Sequence, residues 1–187
     1  MNKKRLTSLI CKNKDVFSHS LTVGSLACNF GKHLNMPERD CKYLLTAGLL
    51  HDIGKLFIPE KILCKSEKLT IEEYKKVKTH AQIGANYLEA NNLNEFSNIA
   101  KYHHERWDGA GYFHLKKEEL SKDICIITLA DSVAAMGENR TYKQAFSIND
   151  IFNELDNNSS KQFNPELCLQ FQFFLYKFLN DKKVRIA

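Results

Sequence analysis

A chain of 187 residues is long enough for one domain with a sizeable core and short for two. Hydrophobic residues at 43% and charged residues at 26% are those of a globular protein and exclude a disordered one. The net charge of +5 is too mild to mark a binder of nucleic-acid polymers, but it favours anionic ligands.

In chain order, helical periodicity dominates. "VFSHSLTVGSLACNFGKHL" steps its apolar residues by three and four, from Val16 through Val23, Leu26 and Phe30 to Leu34. Pro37 suits the first turn of a second helix, "PERDCKYLLTAGLL", with Glu38 and Asp40 near its positive end. "KLTIEEYKKVKTHAQIGANYLEANN" opens with the capping-box pair Thr70 and Glu73 and reads as one long helix. "LNEFSNIAKYHHERW" is another, ending at "DGAG". "DICIITLADSVAAMG" is apolar enough for a strand, but its length and the spacing of Ile126, Leu129, Ala130 and Val133 favour a buried helix. Ser147 caps "SINDIFNELDNN", and Pro165 opens a final helix, "PELCLQFQFFLYKFL". The expectation is an all-α single domain over 1–187 with about seven helices, a boundary near 147 setting off C-terminal helices to about 180.

Six cysteines (Cys11, Cys28, Cys41, Cys64, Cys125, Cys168) stand singly with no CxxC, which suggests free, mostly buried thiols in a reducing compartment. The N-terminus carries no apolar stretch of signal-peptide length, and no apolar run is long enough to span a bilayer. A cytoplasmic protein without a membrane partner is expected.

Metal-ligating residues recur on separate helices. "LLHDIGK" ends an apolar helix with His51 beside Asp52, an imidazole and a carboxylate able to serve two ions with the carboxylate bridging them. His19 lies mid-helix with Asp15 one turn before it. His80 closes "KKVKTH", His103 and His104 close another helix, and Asp131 interrupts an apolar one, where an unpaired carboxylate is costly. Singly, each is as readily structural, since a lone helical histidine is more often a surface or capped core residue. Together they suit one metal centre. Nitrogen and oxygen donors without thiolate favour iron, manganese or zinc over copper(I) or an iron–sulfur cluster.

The order His19, "HDIGK", His80, "HHERWDGAGY", Asp131 resembles the HD-GYP family, a branch of the HD-domain metal-dependent phosphohydrolases, from about residue 15 to 170. The resemblance implies a helical HD-domain bundle with a metal core over about 15–146. It implies two or three divalent ions, iron or manganese, held by His19, His51, Asp52, His80, His103, His104 and Asp131. Asp15 stands where some members carry a glutamate that recruits a third metal. Lys55 matches the lysine at the scissile phosphate, Arg140 and Lys143 match ligand-contacting basic positions, and Tyr112 offers a ring near a guanine. The implied activity is hydrolysis of cyclic di-GMP to the linear dinucleotide or GMP by a hydroxide formed between metals bridged by Asp52, with Lys55 offsetting phosphoryl charge.

Within "HHERWDGAGYFH", Arg106 and Asp108 are expected to brace the turn, Trp107 to anchor it by packing, and His114 to face solvent. The sequence departs from the family on the substrate side. Phe113 replaces the proline of Gly-Tyr-Pro and should leave the loop freer. The segment after it is one residue shorter and lacks the usual proline and arginine near Ser121 and Cys125. Ala134 replaces an acid, and "RPY" has become "RTY". No departure touches a ligand position. The alternatives are another nucleotide or phosphate ester as substrate, or a non-catalytic module that binds a cyclic dinucleotide and relays it to a protein partner.

Overall fold

The computed structural model describes residues 14–65, 67–138 and 145–184. Those residues form α-helices α1 (Lys14–His33), α2 (Glu38–Leu50), α3 (Glu60–Leu63), α4 (Ile71–Lys78), α5 (His80–Glu89), α6 (Ser97–Tyr102), α7 (Lys122–Gly137), α8 (Ile148–Asn158) and α9 (Pro165–Val184), with short 3-10 turns between. The architecture is all-α, and there is no strand among the described residues. Pro37 is the cap of α2 and not its first residue.

Two stretches differ in detail from the sequence reading. The long helix expected from Thr70 onward breaks at Thr79 into α4 and α5. The helix read through "HHERW" stops at Tyr102, so His103 and His104 sit just past its end.

The core is built around α7. Ile124, Ile126, Ile127, Leu129, Ala130 and Val133 bury it on all sides, the pattern of a helix enclosed by neighbours. Helices α1 and α2 pack with their backbones in contact: a Cβ on Gly48 would lie 2.4 Å from the Cα of Gly24. From α8 and α9, Ile151, Leu155, Leu167, Phe171 and Phe174 join the same hydrophobic cluster. Phe171 meets Phe30 of α1 edge-on at 4.6 Å. The described cysteines are all unpaired; Cys41, Cys125 and Cys168 are buried and Cys64 is exposed. Burial pushes the Cys125 thiol up to about 11, so it packs as an inert apolar group.

Among the described residues no helix is long and apolar enough to cross a membrane. What the packing does for function is bring the C-terminal ends of α2, α4 and α6 to one side of the polar part of α7.

Candidate metal centre

Helix ends orient the histidines. The last carbonyls of a helix have no partner within it. The Nδ1–H of His51, just past α2, donates to the Gly48 carbonyl at 2.6 Å. That of His80, past α4, donates to Val77 at 2.6 Å, and that of His103, past α6, to Ala100 at 3.0 Å. A carbonyl can only accept, so each ring keeps its proton on Nδ1 and presents a lone pair on Nε2.

Those lone pairs converge on Asp52. His51 Nε2 and His80 Nε2 each lie 3.2 Å from an Asp52 oxygen, and His103 Nε2 lies 3.6 Å away. The Nε2 atoms of His80 and His103 face each other at 3.4 Å. Gly54 is what allows the approach. A Cβ there would come within 1.9 Å of the His80 carbonyl, so the turn after Asp52 seats directly on the start of α5.

The donors fall into overlapping groups whose atoms lie within 4.8 Å of one another: Asp52, His80, His103 and His104 in one; His19, His51 and Asp52 in a second; His51, His103 and Asp131 in a third. Asp52 is common to the first two. Asp131 Oδ1 reaches His19 Nε2 at 2.8 Å and His51 Nε2 at 3.8 Å. The structure therefore brings together all seven residues picked from the sequence as ligands.

The chemistry of this donor set fits divalent cations. His51 Nε2 and Asp52 Oδ1 are buried without a hydrogen-bond partner, and leaving such atoms unsatisfied is costly unless a cation meets them. Burial opposes ionisation of Asp52, but Lys55 and His51 outweigh it and hold the carboxyl well below the usual range. Burial lowers His103 and pushes His104 down to about 2, so both stay neutral donors. At His51 the downward pull of burial is outweighed by Asp52 and Asp131, a mark of how negative that corner is. Three helix C-termini add the negative end of their dipoles.

Lys55 ion-pairs with Asp52 Oδ2 at the rim. Tyr112 lies against His104 with ring centroids 4.5 Å apart. Asp15 is on α1 one turn before His19; its side chain lies outside the described residues, as do Arg140 and Lys143. Arg106 grips Asp108 through two hydrogen bonds of 3.0 and 2.7 Å. Trp107 packs against the core, and His114 is exposed.

At Phe113, where the absence of proline suggested a freer loop, the structure shows what fastens the chain. Buried Glu105 accepts from the Phe113 N–H at 2.7 Å and the Leu115 N–H at 2.8 Å, and the Phe113 ring packs on Tyr102. Proline has no N–H to offer, so Phe113 adds a fastening that proline could not make.

Sequence reasoning missed three neighbours of the site. Lys78 of α4 sits over the Tyr112 ring at 4.6 Å and the Tyr74 ring at 5.2 Å, while burial and the neighbouring Tyr74 push the Tyr112 phenol up. The i, i+4 spacing of Tyr74 and Lys78 beside a candidate ligand was the available signal. Glu138 lies 2.9 Å from His19, a contact across 119 residues that no local pattern announces.

Fold and site together define a helical protein built around a clustered histidine–aspartate donor set. A model of the HD domain family matches residues 4–167, and the chain belongs to that family. Over 172 residues it is 36% identical to a cyclic di-GMP phosphodiesterase of Thermotoga maritima, covering 89% of this chain and 47% of that protein. Over 148 residues it is 32% identical to 3'3'-cGAMP-specific phosphodiesterase 2 of Vibrio cholerae, covering 76% and 28%. The chain thus spans about half or less of the length of these curated relatives. Among solved structures, Bd1817, an HDG"Y"P protein from Bdellovibrio bacteriovorus, superposes with a TM-score of 0.71 at 16% identity, over 86% of this chain and 52% of that one. The HD domain of Listeria monocytogenes PgpH, in complex with cyclic-di-AMP, gives 0.69 at 20%, over 94% and 95%. At those identities the likeness is one of fold.

Proposed function

We propose that this domain is a metal-dependent phosphodiesterase acting on a cyclic dinucleotide, cyclic di-GMP first. The observation that carries the reading is Asp52, whose carboxylate belongs to two donor groups at once and is flanked by Lys55. The relatives named above add support, since the names of all of them that state a substrate or ligand state a cyclic dinucleotide.

In this reading His19, His51, Asp131 and Asp52 hold one divalent ion and Asp52, His80, His103 and His104 hold another, iron or manganese, with Asp15 the candidate for a third. Such ions supply positive charge for phosphoryl oxygens and acidify water. The protein's own residues do the rest. Lys55 offsets charge on the phosphate under attack. Tyr112, at the edge of the cluster, faces a base, and Arg140 and Lys143 hold phosphate or base edges, Arg as a planar fork and Lys as a point charge. Addition of one water across one P–O bond opens the ring to the linear dinucleotide; a second yields mononucleotides.

The test is anaerobic hydrolysis of cyclic di-GMP with manganese or ferrous iron, products separated by chromatography, with Asp52→Ala as control. Turnover is expected in the wild type, and the variant is expected to lose both turnover and metal. Full activity in the variant overturns the scheme. A second reading, a preference for another cyclic dinucleotide, is favoured by the substrate-side departures at Phe113 and Ala134 and by the cGAMP-specific relative. A panel with 3'3'-cGAMP and cyclic di-AMP in the same assay decides between them. Tight binding without turnover in either metal would instead make the domain a binding module.

A further inference from the structure

His51, His80 and His103 take their orientation from spare carbonyls at helix ends. His19 cannot. It lies within α1, where the backbone carbonyls are engaged in the helical ladder. Its Nδ1 instead meets Glu138 Oε1 at 2.9 Å, while its Nε2 meets Asp131 Oδ1 at 2.8 Å. Glu138 directly follows the last residue of α7, and its extended backbone (φ −92°, ψ 134°) turns the chain off the helix axis beside α1. The carboxylate folds back onto the ring with its side chain 29% exposed.

We propose that Glu138 is the positioning carboxylate of the ion on the His19 side. It holds the Nδ1–H of His19 and so aims Nε2 at a cation shared with Asp131, His51 and Asp52. The inference rests on the metal-dependent reading above but not on which dinucleotide is the substrate. An anionic acceptor makes an imidazole a stronger donor than a neutral carbonyl does. Nδ1 of His80 and of His103 leans on neutral carbonyls. The two ions are therefore inequivalent, and the loss of Glu138 is felt by one of them.

The test titrates manganese into the metal-depleted full chain, followed by calorimetry and by the spin signal of bound manganese. Glu138→Gln keeps the reach and an accepting oxygen but drops the charge; Glu138→Ala drops both. The wild type is expected to take up two ions. The alanine variant should weaken one of them about 10–100-fold and the glutamine variant by less, with the other ion unchanged. Metal-free melting of both variants should match the metal-free wild type. Two ions weakened equally, or neither weakened, overturns the assignment alone. A wild type that takes up no metal overturns the metal reading together with it.

Discussion

Glu105 ties the loop beyond the metal centre to the end of α6. Glu105 is 2% exposed, and its carboxylate is satisfied by two backbone N–H groups across the loop. One of those donors exists only because position 113 is not proline. Restoring the family's residue with Phe113→Pro removes that donor and leaves Glu105 Oε1 short of its partner. The expected cost is about 1–3 kcal/mol, the penalty for stranding a buried acceptor, read as a lower denaturant midpoint with an unchanged slope. Unchanged stability would mean that the loop, and not this hydrogen bond, sets its own shape. Within the His103–His114 stretch, Arg106 and Asp108 pair with each other, whereas Tyr112 contacts both His104 and Lys78.

At the scale of elements, the site is made of helix ends. Each of α2, α4 and α6 finishes at or just before a histidine, and its last turn offers the carbonyl that fixes the ring. The break at Thr79, which the sequence reading ran through, is thus part of the site, because an unbroken helix would have kept the Val77 carbonyl for itself. Gly54→Ala should disturb this arrangement at its seam. The added methyl meets the His80 carbonyl, backbone that cannot yield cheaply, so α5 must shift away from Asp52. The expected loss is about 1–3 kcal/mol or more of stability together with weaker metal uptake. Thr70→Ala is the contrast: it removes the capping box of α4 on the exposed surface and should cost about 1 kcal/mol, with metal uptake intact. Equal metal uptake by the Gly54 variant and the wild type would show that the seam does not position His80.

For the whole molecule, the polar cluster lies beside the hydrophobic core, and a buried set of facing lone pairs opposes folding until a cation joins it. Metal should therefore stabilise the fold by binding the native state alone. At a free concentration 100 times the dissociation constant, one ion contributes about 2.7 kcal/mol. For a chain of this size that is a shift of roughly 5–10 °C in Tm, lost on chelation and absent in Asp52→Ala. A wild-type Tm indifferent to chelators would argue against metal held within the fold.

Much of this was legible in the sequence because it is local. Apolar spacing marked the helices, Ser147 and Thr70 marked their starts, and His51-Asp52, His80, His103-His104 and Asp131 stood out as polar residues at helix ends or in an apolar helix. Residue type and short-range periodicity determine those features, since capping and amphipathicity act within a turn or two. The tertiary structure alone decided the rest: which nitrogen each histidine presents, that Glu105 ties down the loop, that Tyr74 and Lys78 wall the site, and that Glu138 reaches His19. These are contacts of single polar side chains across turns or across the fold. Their partners are chosen by how the backbone is packed, and packing leaves no period in the chain for a reader to find.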